Sequence, residues 1–253
     1  MEEKPMSRMS EILAPVIMFF VIFGGWELCI RIFEVPKVLV PGPLAIFQCI
    51  FENFDELAPH FWISSATILS GYLLAIPCGI LFAAVITNFR LVNDALSPFV
   101  ILLVTTPLMT LMPILCIQLG FGMNVRVIGA LIQCFPIINM NACTGFNNVP
   151  KLRLELMQSL RANRIQRFFY VIFPTALPDV FSGIKLAAIF ATTACIGIEF
   201  VASSAGLGNR ISYYTVYYKT EYAFACIFLV AAVGLLLYGL ASLLERKALN
   251  WKT

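Results

Sequence analysis

Six long apolar stretches set the strongest limit on how this chain can fold. They cover approximately residues 12–33, 61–87, 96–119, 125–146, 177–203 and 222–244. A helix needs about 20 apolar residues to cross a hydrocarbon core about 30 Å thick. The composition agrees, since 60% of the residues are hydrophobic and 12% are charged, against about 45–50% and about 25% in soluble domains. We therefore predict an all-α integral membrane protein with six transmembrane helices, which excludes a soluble enzyme and a disordered chain.

The Lys and Arg residues predict which side of the membrane each loop occupies. Eleven of the 17 lie in the segments that share a side with the N-terminus, from Lys4 to Lys252, and five lie in the segments on the other side. Cytoplasmic loops carry the excess of positive charge, so we expect both termini in the cytoplasm. The net charge of +3 is too small to favour nucleic acid as a partner.

The order of these segments divides the chain into three parts. Residues 1–60 form an N-terminal anchor helix and an outer interfacial loop, 61–244 form the core, and 245–253 form a cytoplasmic tail. No small-residue cleavage pattern follows the first stretch, so we interpret it as a retained anchor. In the outer loop, Val40-Pro41-Gly42-Pro43 prevents a regular helix, and residues 44–54 then predict a helix lying on the outer interface.

The longest cytoplasmic segment, 147–176, has the pattern of a short amphipathic helix rather than of a loop. Leu152, Leu156 and Leu160 recur every four residues, with Met157 beside them, and such spacing places an apolar ridge along one helix face. The ridge has three interpretations. It packs against the chain's own membrane helices, it lies on the inner leaflet, or it docks into a groove on a soluble partner.

This segment also resembles a known family. Glu155-Leu156-Met157, followed by Pro174 and by Ala176-Leu177-Pro178, is similar to the cytoplasmic signature of binding-protein-dependent permeases of ABC importers. Three further stretches are similar to the nitrate, sulfonate and taurine branch of that family: Val40-Pro41-Gly42-Pro43, Phe135-Pro136-Ile137, and Ser204-Ala205-Gly206-Leu207-Gly208 after Glu199. The resemblance extends from about residue 39 to residue 244.

The resemblance implies the type I ABC importer permease fold, with 147–176 as the loop that carries the coupling helix for a separate ATP-binding subunit. Residues of this loop are then expected to couple transport to ATP hydrolysis: Leu152, Glu155, Leu156, Met157, Leu160, Arg161 and Pro174. The expected partners are the ATP-binding subunit with its ATP, an extracytoplasmic solute-binding protein and a second permease copy, forming a homodimer in a bacterial or archaeal cytoplasmic membrane. The expected solute is of the nitrate, sulfonate or taurine kind, or a vitamin precursor such as a pyrimidine.

One position departs from the family pattern. Six residues after Glu155 the family usually has glycine, and this chain has Arg161. Arginine adopts a left-handed backbone only at a cost of roughly 1 kcal/mol or more. We therefore predict a right-handed conformation at Arg161, with Asn163 taking the left-handed position or the helix continuing further.

Prolines and polar side chains in the third and fourth stretches predict irregular helices beside a solute path. The candidates are Pro107, Pro113, Gln133 and Asn139, although each also fits a role in helix packing. Glu199 is an acid within the fifth stretch, and intramembrane acids are usually functional or paired. We expect it near the outer end, partly hydrated, as a gate or structural pair residue.

The chain lacks the residues that catalysis would require. No GxxxxGK[ST] phosphate loop occurs, so energy for transport must come from another subunit or from an ion gradient. His60 is the single histidine, and the eight cysteines are dispersed, so we predict no enzymatic activity, no metal site and no cofactor bound by this chain. The alternative function is a stand-alone secondary transporter or channel that uses Glu199 as its proton or cation site.

Overall fold

The computed structural model describes residues 8–250, and every regular element in that range is a helix. Eleven α-helices and one short π-helix follow one another between residues 8 and 250. They are α1 (Arg8–Ile32), α2 (Pro43–Glu52), α3 (Phe54–Asn88), α4 (Arg90–Thr105), α5 (Leu108–Leu119), α6 (Met123–Asn147), α7 (Lys151–Ser159), α8 (Arg164–Arg167), the π-helix (Phe168–Ile172), α9 (Phe173–Ala202), α10 (Leu207–Val216) and α11 (Thr220–Ala248). Lys4 and Lys252, which contributed to the predicted orientation, lie outside the described residues.

Four helical segments within residues 8–250 are long and apolar enough to cross a membrane. They are α3, α6, the continuous segment Arg164–Val201 and α11. Each contains most of one stretch predicted from the sequence, so four of the six predicted spans are confirmed. The stretch at 12–33 forms α1, which is helical as expected but is not among these four segments.

The remaining stretch, 96–119, is broken rather than straight. Helix α4 ends at Thr105 and α5 begins at Leu108, and the two axes differ by 99°. Thr106 and Pro107 between them have extended backbones, with ψ of 119° and 120°. Proline disfavours a helical conformation in the residue before it and donates no hydrogen bond. The irregular helix predicted for this stretch is therefore confirmed, with its break at Thr106 and Pro107.

The helix predicted over residues 44–54 is confirmed as α2, while its place on the outer interface stays a prediction. Pro43 occupies its first turn, where a missing N–H costs nothing. Ile46 and Cys49 are buried, whereas Phe51 is exposed, as expected for a helix with one apolar face against the bundle. Burial raises the pKa of the Cys49 thiol to about 11. The next helix, α3, begins at Phe54, earlier than the predicted start at residue 61.

Helices α3, α6 and α9 form the centre of the bundle because small residues let their backbones approach closely. A Cβ atom at Gly79 of α3 would lie 2.9 Å from Cβ of Ile138 in α6. One at Gly145 of α6 would lie 2.8 Å from Cβ of Asp179 in α9. Helix α11 packs beside α9, where Lys185 Nζ and Glu245 Oε2 form an ion pair of 2.6 Å. The segment that contains α7 and the C-terminal end of α9 are both positioned by this core.

Candidate functional site

The apolar ridge of α7 is largely exposed. Leu152, Leu156 and Leu160 are 77%, 61% and 68% exposed. The helix starts after Pro150, whose extended backbone turns the chain at the end of α6. The interpretation that this ridge packs against the chain's own membrane helices is therefore wrong.

The opposite side of α7 is fixed to the bundle. Val149 is buried and Met157 is half-buried, and Arg153 Nη1 donates a hydrogen bond of 3.1 Å to Thr175 Oγ1 in the first turn of α9. Leu156, Met157 and Pro174 line one shallow cavity of about 350 Å³ between α7 and the start of α9. The structure thus brings these three predicted coupling residues together, whereas Glu155 lies exposed to one side.

Helix α7 ends in a turn that overturns one prediction. Arg161 has φ of 54°, so it occupies the left-handed position that is usually glycine. The Arg161 N–H donates to the Gln158 carbonyl (2.9 Å) and the Ala162 N–H donates to the Met157 carbonyl (3.0 Å). This pair of bonds is a Schellman motif, which satisfies carbonyls left free at a helix end. The two hydrogen bonds offset the backbone cost that led us to expect a right-handed Arg161.

Asn163, which was the alternative candidate for the left-handed position, does not adopt it. Its φ is −72°, and it caps the next helix. Asn163 Oδ1 accepts from the Gln166 N–H (2.8 Å), and Gln166 Oε1 accepts from the Asn163 N–H (2.9 Å). This reciprocal capping box starts the helical segment that continues as α9. The Schellman motif and the capping box together form the turn that joins α7 to this membrane-spanning segment.

Aromatic packing ties this junction to the core. Phe168 in the π-helix lies with its ring centroid 5.3 Å from that of Phe146 in α6, and Phe146 is buried. Phe173 packs on both rings. The π-helix that follows this junction is therefore packed against both α6 and the start of α9.

A second group of polar side chains lies at the other end of α9. Glu199 has no exposed surface, so the expectation that it is partly hydrated was wrong. The Ser64 hydroxyl of α3 lies 2.9 and 2.7 Å from the two carboxylate oxygens, to one of which it donates. The Gly208 N–H donates to Glu199 Oε2 at 2.8 Å, and the Leu207 N–H donates to Ser64 Oγ at 2.8 Å. Glu199 and Ser64 together hold the first turn of α10 against α3.

The turn before α10 fits only because it contains glycine. Gly206 has φ of 107°, and a Cβ atom there would collide with the Glu199 carboxylate. On its outer side, Arg210 Nε donates to His60 Nε2 at 2.7 Å. His60, the single histidine of the sequence, lies with its ring against this turn, since its Nδ1 accepts from the Gly206 N–H at 3.1 Å. Sequence analysis found Glu199 and the glycine turn but missed Ser64, because nothing in the pattern of α3 distinguishes that serine from its neighbours.

The buried phenol of Tyr214 completes the attachment of α10. Its hydroxyl donates to Glu56 Oε1 at 2.7 Å, which links α10 to the outer end of α3. Burial raises the pKa of Tyr214 above its ordinary value, and the adjacent carboxylate raises it further. The phenol therefore stays protonated and remains a donor throughout the neutral range.

Comparison with known proteins decides the family. The profile of binding-protein-dependent transport system inner membrane components matches residues 75–250, well over half of the chain. The chain belongs to this family. It is therefore the membrane permease of an ABC importer, and the alternative of a stand-alone secondary transporter is not supported.

Several curated permeases are similar over nearly their whole length. The riboflavin permease of Chloroflexus aurantiacus is 27% identical over 95% of this chain and 90% of the relative. The formylaminopyrimidine permease of Halalkalibacterium halodurans is 25% identical over 98% of this chain and 99% of the relative. A Bacillus subtilis relative with the name "putative aliphatic sulfonates transport permease protein" is 27% identical over 92% of this chain and 85% of the relative.

Solved structures agree on the fold. An inward-facing methionine ABC transporter superposes with a TM-score of 0.62 at 18% identity, covering 76% of this permease and 95% of that chain. The predicted all-α fold of a type I ABC importer permease is thereby confirmed. The predicted number of six spans is not reproduced, since the described residues contain four long spans and one bent pair.

The predicted path residues of the permease do not form one cluster. Pro107 sits at the break before α5, and Pro113 is exposed on α5. Gln133 is half-buried in α6. Asn139 is 1% exposed and its Nδ2 donates to the Gly79 carbonyl at 3.3 Å, so it joins α6 to α3 and does not face a path within this chain. A path role stays a prediction for the other three.

Proposed function

We propose that this permease forms the solute path of an importer and receives energy from a separate ATP-binding subunit that docks on α7. The observation that supports the proposal is the exposed ridge of Leu152, Leu156 and Leu160 on a helix whose other side is fixed to α9. A docked partner would bury these side chains, and burying a leucine fully contributes about 1.5–3 kcal/mol.

Membership of the binding-protein-dependent transport family favours a protein groove over the inner leaflet as the surface that the ridge contacts. Helix α7 begins after α6 has ended at Asn147 and after a turn at Pro150, so it lies beyond the end of a membrane-spanning helix. The chain contains no phosphate-binding loop, so ATP must act through another subunit. Closure of two such subunits would move α7, and the Phe146 and Phe168 contact would pass this motion to α6 and α9 as a rigid-body change.

The complete importer would contain further partners. We infer a second copy of this permease, an extracytoplasmic solute-binding protein, and both termini on the cytoplasmic side, as the excess of Lys and Arg on that side favours. The names of the relatives support a small organic solute as cargo, either a vitamin or vitamin precursor or a sulfonate. Selection among these would then occur in the binding protein, since the spans contain no cluster of Arg or Lys to hold an anion.

The proposal is tested by co-purification from the native host in mild detergent. The variant carries Leu156→Asp and Leu160→Asp, and the control carries Gln158→Asp, which adds an acid to α7 away from the ridge. We expect an ATP-binding subunit to co-purify with the wild type and the control but not with the ridge variant. Equal recovery with all three would reject the ridge as the docking surface. Solute movement by this chain alone, in vesicles without ATP, would reject coupling altogether.

A further inference from the structure

Two cavities meet at the end of the bundle that carries α7. The first is an apolar crevice of about 360 Å³ between the last turns of α3 and the segment that starts at α8. Its walls include Leu81, Ala84 and Val85 on one side, and Ile165 and Phe169 on the other. Most of these walls are open to the surroundings, since Leu81 is 66% exposed and Ile165 is 69% exposed.

The second cavity, of about 390 Å³, lies beside the first and is polar. Arg164 and Asn88 line both cavities, and Arg167 and Asn147 line only the second. The described residues that line either cavity include no Asp or Glu. The crevice is thus apolar at one end and positively charged at the other.

The two arginines lack partners within residues 8–250. Neither guanidinium forms a hydrogen bond or an ion pair there, and Arg167 Nε is buried without an acceptor. A buried donor left unsatisfied costs about 1–3 kcal/mol, and an arginine fork matches the geometry of phosphate oxygens. The polar cavity therefore has the charge and the donors to bind a phosphate group.

The location of the crevice indicates which kind of molecule carries the phosphate group. Leu81, Ala84, Val85 and Asn88 follow one face of α3 over its last two turns, so the crevice opens where a membrane-spanning helix leaves the hydrocarbon. We propose that this site binds an anionic phospholipid of the inner leaflet. An acyl chain lies against Leu81, Val85 and Phe169, and the headgroup phosphate binds Arg164 and Arg167. Basic pockets between transmembrane helices on the cytoplasmic side bind anionic headgroups in the same manner.

The occupancy of this site is independent of the docking surface on α7. The ridge leucines do not line either cavity, and the lipid site needs no ATP-binding subunit. A failure of the lipid proposal would therefore leave the proposed coupling untouched, and a failure of coupling would leave the lipid site untouched.

The test measures lipid retention by native mass spectrometry of the full-length chain in mild detergent, titrated with phosphatidylglycerol or phosphatidylcholine. The variant carries Arg164→Gln and Arg167→Gln. The matched control carries Arg246→Gln and Lys247→Gln, which removes two exposed positive charges at the same end of the bundle. We expect the variant to bind phosphatidylglycerol about 30-fold more weakly, while the control retains wild-type binding.

A second variant, Ala84→Trp, fills the apolar crevice and leaves both arginines in place. We expect it to lose phosphatidylglycerol as well, because the acyl chain has no room. Equal retention of phosphatidylcholine, or displacement of the lipid by millimolar inorganic phosphate, would overturn the proposal in favour of a nonspecific crevice or a simple anion site. Loss of the lipid whenever an ATP-binding subunit is present would assign the surface to that subunit instead.

Discussion

Replacing Ser64 by alanine tests whether the buried network at Glu199 holds α10 in place. The Ser64 hydroxyl donates to the Glu199 carboxylate and accepts from the Leu207 N–H, so Ser64→Ala removes two hydrogen bonds. A buried N–H left unsatisfied costs about 1–3 kcal/mol, and a hydrogen bond to a charged group contributes about 1.5–3 kcal/mol. The free energy of unfolding should fall by about 4 kcal/mol, which for a chain of this size lowers the melting temperature by roughly 8–16 °C.

The adjacent serine provides the matched control. Ser65 Oγ is buried but has no hydrogen-bond partner among the described residues, so Ser65→Ala removes the same atom without breaking a bond. Replacing a buried polar group that is unsatisfied is neutral or stabilising. We expect the melting temperature of Ser65→Ala to equal or exceed that of the wild type.

The chain contains its own reporter for this experiment. Cys195 is completely buried, and its Sγ lies 3.7 Å from the Ser64 carbonyl oxygen. Once the exposed Cys29 and Cys78 are replaced by serine, a thiol-reactive fluorophore labels the buried cysteines, Cys195 among them, only after the fold opens, so labelling during a temperature ramp reports unfolding. If Ser64→Ala melts within about 2 °C of Ser65→Ala, the hydrogen bonds of Ser64 do not stabilise the permease and our reasoning about the cluster is wrong.

Three further substitutions test Glu199, near the end of α9, and Arg161, in the turn that ends α7. Glu199→Gln leaves a single acceptor oxygen for the donors of Ser64 and Gly208, so we expect a loss of about 1–3 kcal/mol and less solute moved per ATP hydrolysed in vesicles; unchanged coupling would reject a gate role for Glu199. Arg161→Gly relieves the left-handed backbone and should leave stability and recovery of the ATP-binding subunit unchanged or improved, whereas Arg161→Val should lower stability by about 1–2 kcal/mol. Equal melting temperatures for the two Arg161 variants would show that this backbone position is not strained.

The amphipathic character of α7 was predictable because it depends only on local spacing. A repeat of leucines every four residues marks one face of a helix wherever that helix lies. The sequence did not show whether this face is covered. The structure does, because the three ridge leucines are exposed whereas Leu154 and Met157, on another side of the helix, are half-buried.

The conformation of Arg161 was not predictable from its own preferences. The steric cost of a left-handed backbone disfavours this conformation for arginine by about 1 kcal/mol. Two hydrogen bonds that close the helix end, together with the capping box that starts at Asn163, outweigh that cost. A local preference of this size is readily overridden by neighbouring contacts.

What the sequence determined by itself was the environment and the class of the chain. In a bilayer, a long apolar stretch satisfies its backbone hydrogen-bonding groups by forming a helix. The motif around Glu155 identified the family. What only the tertiary structure decided was the set of partners across helices. Ser64 and Glu199 are 135 residues apart in the sequence, and Tyr214 and Glu56 are 158 residues apart. Such pairs meet only after the helices have packed. Periodicity is a property of one helix, whereas hydrogen bonds between helices depend on their packing, and so they became visible only in the folded chain.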